Sequence, residues 1–155
     1  GDFVDARIGA NVHNPPEMVR PKLPALRAYQ LSIDEPAPLA SLDAAAVERG
    51  RAVFNGGGQC ATCHTGTTFT DVNAGALHTA AEVGQSQAYA QRSATKLYRT
   101  TPLRGLFHPP QLQGPYFHDG HAATLDAVVD HYVQKRGLSL STQQKADLVQ
   151  FLKSL

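Results

Sequence analysis

Two cysteines and a histidine stand together in Cys60-Ala61-Thr62-Cys63-His64, and these are the only cysteines in the 155 residues. Two thiols separated by two residues can reach the two vinyl groups of one porphyrin and close as thioethers. The next residue then lies under the metal, where an imidazole nitrogen serves as proximal ligand. Two other chemistries use the same pair. A dithiol redox couple belongs to a βαβ setting, and no period-two apolar alternation appears anywhere in the sequence. A zinc site needs two further ligands, and the remaining histidines have no finger-like spacing. The adjacent histidine therefore favours one covalently attached haem c, bound through Cys60 and Cys63 with His64 on the iron.

The opposite face of such an iron takes a second side chain in most electron carriers, commonly a methionine. The single methionine is Met18, far from the motif in a proline-rich stretch; it is either packing or a thioether brought back to the iron. His118 and His121 flank Asp119-Gly120, and His118 is a further candidate ligand, the alternative being a hydrogen bond that fixes its loop. Tyr132 shares a helical face with Leu125, Val128 and Val129. It is either a core tyrosine or an inward-facing oxygen ligand. Between Glu82 and Asp119 no acidic residue occurs, yet Arg92, Lys96, Arg99 and Arg104 do. That stretch is a solvated basic loop or a surface that meets an anion, and haem propionates are natural anions for it.

The elements that must hold these residues read as helices. Ser41 to Phe54 forms one, with Ser41 as cap and Val47, Gly50 and Phe54 at helical spacing. Gly50 inside it costs ~1 kcal/mol against alanine, which points to close packing against another helix. Gly56-Gly57-Gly58 ends it just before the motif. Thr124 to Val133 is a second helix. The C-terminus is a third, opened by a Ser141/Gln144 capping box and carrying Leu148, Phe151 and Leu152 on one stripe. Residues 1–40 differ: six of the ten prolines fall there, which favours extended or irregular chain. One short helix fits Pro24 to Ile33, with Leu26, Tyr29 and Ile33 along a side. The expected layout is a proline-rich N-terminal arm over 1–40 and an all-α haem domain with long loops over 41–155.

The order of several short motifs sharpens this. Phe69-Thr70-Asp71, Thr101-Pro102-Leu103-Arg104, Gly114-Pro115-Tyr116-Phe117-His118-Asp119-Gly120, Ala123-Thr124-Leu125 and Val128-Val129 together resemble the C-terminal, electron-transferring haem domain of the bacterial dihaem cytochrome c peroxidase and MauG family. The resemblance covers about residues 41–155. It implies a cytochrome c-like fold in which a small residue on the first helix meets an aromatic on the last. It also implies that Tyr132 stands at the position of the distal ligand, where MauG-like relatives carry tyrosine, and that Arg104, in the family's Thr-Pro turn, pairs with a propionate. The family's enzymes carry two haems, one per domain, whereas this sequence holds one C-x-x-C-H.

These readings point to a monohaem c-type cytochrome in one-electron transfer with a redox partner protein. The alternative is a peroxidase-like or gas-binding haem protein with an open or weakly ligated distal face. A net charge of +1 gives no general reason to expect nucleic acid as a partner. No apolar run approaches the ~18 residues of a membrane span, so the chain is expected to be soluble. Covalent haem attachment implies assembly outside the cytoplasm, hence a bacterial periplasm. A sequence opening at Gly1 is expected to have lost a signal peptide or to be part of a longer chain.

Overall fold

The computed structural model describes residues 3–5, 10–12, 20–34, 41–106 and 115–155. The chain divides into two units, Gly1–Pro36 and Ala37–Leu155. In the smaller unit, strands β1 (Phe3–Asp5) and β2 (Ala10–Val12) pair antiparallel, with Phe3 opposite Val12. Strands of three residues are too short to display an alternating apolar pattern, so this ribbon had no signature in the sequence. A 3-10 turn at Arg20–Lys22 leads into helix α1 (Leu23–Leu31), with proline in its first turn. Its apolar side stays open, with Tyr29 65% and Leu31 71% exposed.

The larger unit opens with helix α2 (Ala44–Asn55). Its cap is Asp43 rather than Ser41: the carboxylate accepts from the N–H groups of Ala45 and Ala46 at 2.9 and 3.3 Å. Two short helices follow, α3 (Ala80–Val83) and α4 (Gln87–Ala90). Four residues give no apolar period, so nothing but their caps, Thr79 and Ser86, marked them. Helix α5 (Leu125–Arg136) starts at the Thr124 cap and stops at Gly137, which takes a left-handed φ of 61°. Helix α6 (Thr142–Leu152) carries the expected capping box, Ser141 with Gln144.

The core forms where α2, α5 and α6 meet. Val53 and Phe54 of α2 pack with Leu125 and Val129 of α5 and with Leu148, Val149, Phe151 and Leu152 of α6. Phe54 and Phe151 are the largest side chains buried outright, their ring centroids 5.1 Å apart; burying such a ring is worth roughly 1.5–3 kcal/mol. Gly50 sits at the α2–α6 crossing. A Cβ there would lie 2.6 Å from the Asp147 carbonyl carbon and 2.8 Å from Phe151 Cβ. The two backbones touch where the sequence placed a glycine. An ion pair between exposed Arg49 and buried Asp147 spans the same crossing: Arg49 donates from Nε and Nη2 to both Asp147 oxygens at 2.8 and 2.9 Å. Arg49, helped by Gln143, holds the Asp147 carboxyl below its usual range. The described part of this unit is an all-α, cytochrome c-like domain. Among the described residues no helix is long and apolar enough to cross a membrane.

Candidate functional site

The glycines after α2 deliver the motif. Gly58 N–H returns to the Val53 carbonyl at 2.8 Å, and Gln59 takes a left-handed φ of 52°. A 3-10 turn at Cys60–Thr62 follows, and His64 N–H closes back on the Cys60 carbonyl at 3.0 Å. That tight turn puts Cys60, Cys63 and His64 on the wall of one cavity of about 480 Å³. Burial pushes the Cys60 thiol up to about 11. A nucleophilic C-x-x-C thiol needs the opposite shift, which weakens the dithiol reading.

His64 is held from behind. Its Nδ1 lies 2.9 Å from the Phe69 carbonyl, so Nδ1 carries the proton and Nε2 keeps the lone pair a metal would take. Phe69 presents that carbonyl from a left-handed φ of 53°, a conformation that costs ~1–2 kcal/mol for a residue with a side chain. Its ring compensates by packing edge-on against Phe54 and Phe151, at 5.9 and 6.3 Å. Burial also lowers the His64 pKa, favouring the neutral, ligating form. The next two residues continue the scaffold: Thr70 Oγ1 donates to the Thr100 carbonyl at 2.7 Å, and Asp71 Oδ2 lies 2.9 Å from His78 Nε2. The tripeptide Phe69-Thr70-Asp71 is thus the frame behind the histidine.

The rest of the cavity wall is mostly apolar, with Leu103, Leu106, Val128 and Leu152 among its residues. Apolar faces with a few polar groups suit a flat macrocycle bearing two carboxylates. Two thiols and an imidazole on one wall, and cations at its edge, fit a covalently bound haem. Tyr132 also lines the cavity, half-buried, and burial raises its phenol pKa. A coordinated metal would reverse that shift. His118 reaches the cavity from an exposed position, its ring centroid 4.1 Å from that of Tyr89 with the planes tilted by 34°. Met18, His13 and His108 lie outside the described residues. His131, on α5 next to Tyr132, is half-buried, and its Nε2–H donates to the Val83 carbonyl at 3.1 Å.

Arg104 is exposed and donates to the Thr67 carbonyl, in the loop after the motif. Among the described residues, the arginines lining the cavity are Arg99 and Arg136, both exposed. Arg99 belongs to the acid-free basic stretch; Arg136, in the last turn of α5, had no such signal. His78 was also missed, since a loop histidine seven residues from its aspartate carries no pattern. Cys63, Asp71 and His78 have ligand atoms within 4.8 Å of one another, a group that could hold a metal. Thioether formation at Cys63 would remove its thiolate from that set.

Comparison with known proteins points the same way. Methylamine utilization protein MauG of Methylorubrum extorquens is 32% identical over a 124-residue alignment covering 70% of this chain and 34% of the relative. The chain is a distant relative of MauG. MauG of Methylophilus methylotrophus gives the same 32% identity, over 126 residues that cover 70% of this chain and 36% of that protein. The chain therefore spans about a third of the length of the MauG proteins it matches. No family model matches, and no solved structure does.

Proposed function

We propose that residues 41–155 form a c-type cytochrome domain that carries one covalent haem and takes part in one-electron transfer with a redox partner protein, residues 1–40 being an arm attached to it. The observation that carries this is the cavity wall on which Cys60, Cys63 and His64 converge, with His64 Nδ1 already committed to Phe69. When bound, haem supplies one-electron chemistry. The chain's part is to hold it: Cys60 and Cys63 as thioether partners, His64 as proximal ligand, and the apolar wall to exclude water. The haem carboxylates would pair with the basic residues around the cavity: Arg99 and Arg136, which line it, and Arg104, which also donates to the Thr67 carbonyl. Distant homology to MauG supports a haem redox role. Since thioether attachment is made outside the cytoplasm, the reading includes export to a periplasm.

Denatured protein tests this directly. The haem should stay with the polypeptide in acidified organic solvent and be lost from the Cys60→Ser, Cys63→Ser variant. Haem that extracts freely from the wild type would overturn the proposal. A second reading, a peroxidase-like or gas-binding haem protein, is favoured by Tyr132 on the cavity wall, since an oxygen ligand holds ferrous iron weakly. A stable low-spin six-coordinate spectrum in both oxidation states supports electron transfer; high-spin iron that takes up CO or cyanide supports the second reading.

A further inference from the structure

Gln85 follows α3, and the turn before it is clamped onto α5. Gly84 takes a φ of +68°, and a Cβ there would lie 2.8 Å from His131 Nε2 and 3.0 Å from Lys135 Cδ. The absence of a side chain is what lets the turn approach. His131 holds the Val83 carbonyl from the same helix, and the Gln85 N–H donates to the Ala80 carbonyl at 3.0 Å. The Gln85 side chain then lines the cavity, and both Oε1 and Nε2 are buried with no hydrogen-bond partner. Leaving a buried polar group unpaired costs ~1–3 kcal/mol, and native structures contain few such groups. With the backbone fixed, the missing partner belongs to what fills the cavity.

We propose that Gln85 is a positioning residue of the haem site, its Nε2–H donating to an anionic oxygen of the haem unit. The inference rests on the haem reading above. Two oxygens have the required chemistry. One is the phenolate of Tyr132, on the helix that clamps the turn and on the wall of the same cavity. The other is a haem propionate. A donor on either oxygen withdraws negative charge from the iron and favours the reduced state, so removing it lowers the reduction potential. Oε1 is left for a single bridging water.

Gln85→Met keeps the length of the side chain and removes both polar atoms. With covalent haem retained, its midpoint potential should fall below that of the wild type. In a Tyr132→Phe background that fall should vanish if the phenolate is the acceptor and persist if a propionate is. An unchanged potential in both backgrounds, with haem intact, overturns the proposal. Wild-type protein without covalent haem would instead overturn the reading beneath it. A measurement on the unaltered chain serves if the variant does not fold. The Gln85 side-chain NH2 should exchange slowly with water and shift between ferric and ferrous protein; a freely exchanging, unshifted NH2 pair overturns the assignment.

Discussion

The proximal side of the site is built from residues that look unremarkable one at a time. His64 needs a carbonyl behind it, and Phe69 offers one only by taking a left-handed backbone, held there by its ring contacts. The C-x-x-C-H motif was legible because its chemistry is local in sequence. The Phe69 carbonyl was not, because φ is set by the packing of Phe54 and Phe151, which lie far away along the chain. Tyr132 falls between these cases: helical spacing put it inward, and it lines the cavity. It is our candidate for the sixth position, with Met18 and His118 as rivals. Oxygen ligation favours ferric iron, so the potential should lie below that of a His/Met cytochrome. Tyr132→Phe should change the ferric visible spectrum, and Met18→Leu should leave it alone. The reverse pattern would hand the site to the thioether and make Tyr132 a core residue. A change with His118→Ala but not with Tyr132→Phe would hand it to the imidazole.

At the scale of elements, α2, α5 and α6 were readable because each is long enough to show a stripe and has a polar cap. The capping box of α6 was found where expected; the cap of α2 moved from Ser41 to Asp43, whose carboxylate reaches two N–H groups. The short helices α3 and α4 escaped because a single turn has no period. Gln85 escaped with them, since its burial depends on a tertiary clamp at Gly84. The α2–α6 crossing makes a quantitative test possible. In an isolated helix Gly50→Ala would gain ~1 kcal/mol from propensity. Here the new Cβ would meet the Asp147 backbone at 2.6 Å, so the helices must separate and the Arg49–Asp147 pair must stretch. A net loss of about 1–3 kcal/mol is expected, as for other overpacked sites. Gly57→Ala is the control, since a Cβ there meets only Leu140 Cδ2 at an ordinary 3.5 Å. Urea denaturation of the two holoproteins should separate them, and equal midpoints would mean that α2 and α6 do not touch at Gly50.

At the scale of these 155 residues, the question is how far a single haem can carry peroxide chemistry. The chain spans about a third of the MauG proteins it matches and holds one C-x-x-C-H. Reducing hydrogen peroxide to two waters consumes two electrons and two protons, whereas one iron cycling between ferrous and ferric delivers a single electron. The family that the sequence resembles is expected to meet that demand with a second haem. Peroxide chemistry also wants an acid–base group close to the bound oxidant. On the cavity wall Glu82 is tied to the Thr79 N–H and hydroxyl, and His78 is tied to Asp71. His118 is the least committed candidate, its ring tilted against Tyr89 and Tyr98 at an exposed position. The holoprotein should therefore exchange electrons readily with small redox dyes while turning peroxide over poorly. Steady-state peroxide consumption by the purified chain, with reduced dye as donor, checks this. Turnover as fast as dye oxidation would show that one haem in this cavity suffices, and that the open-face reading, rather than electron transfer alone, describes the protein.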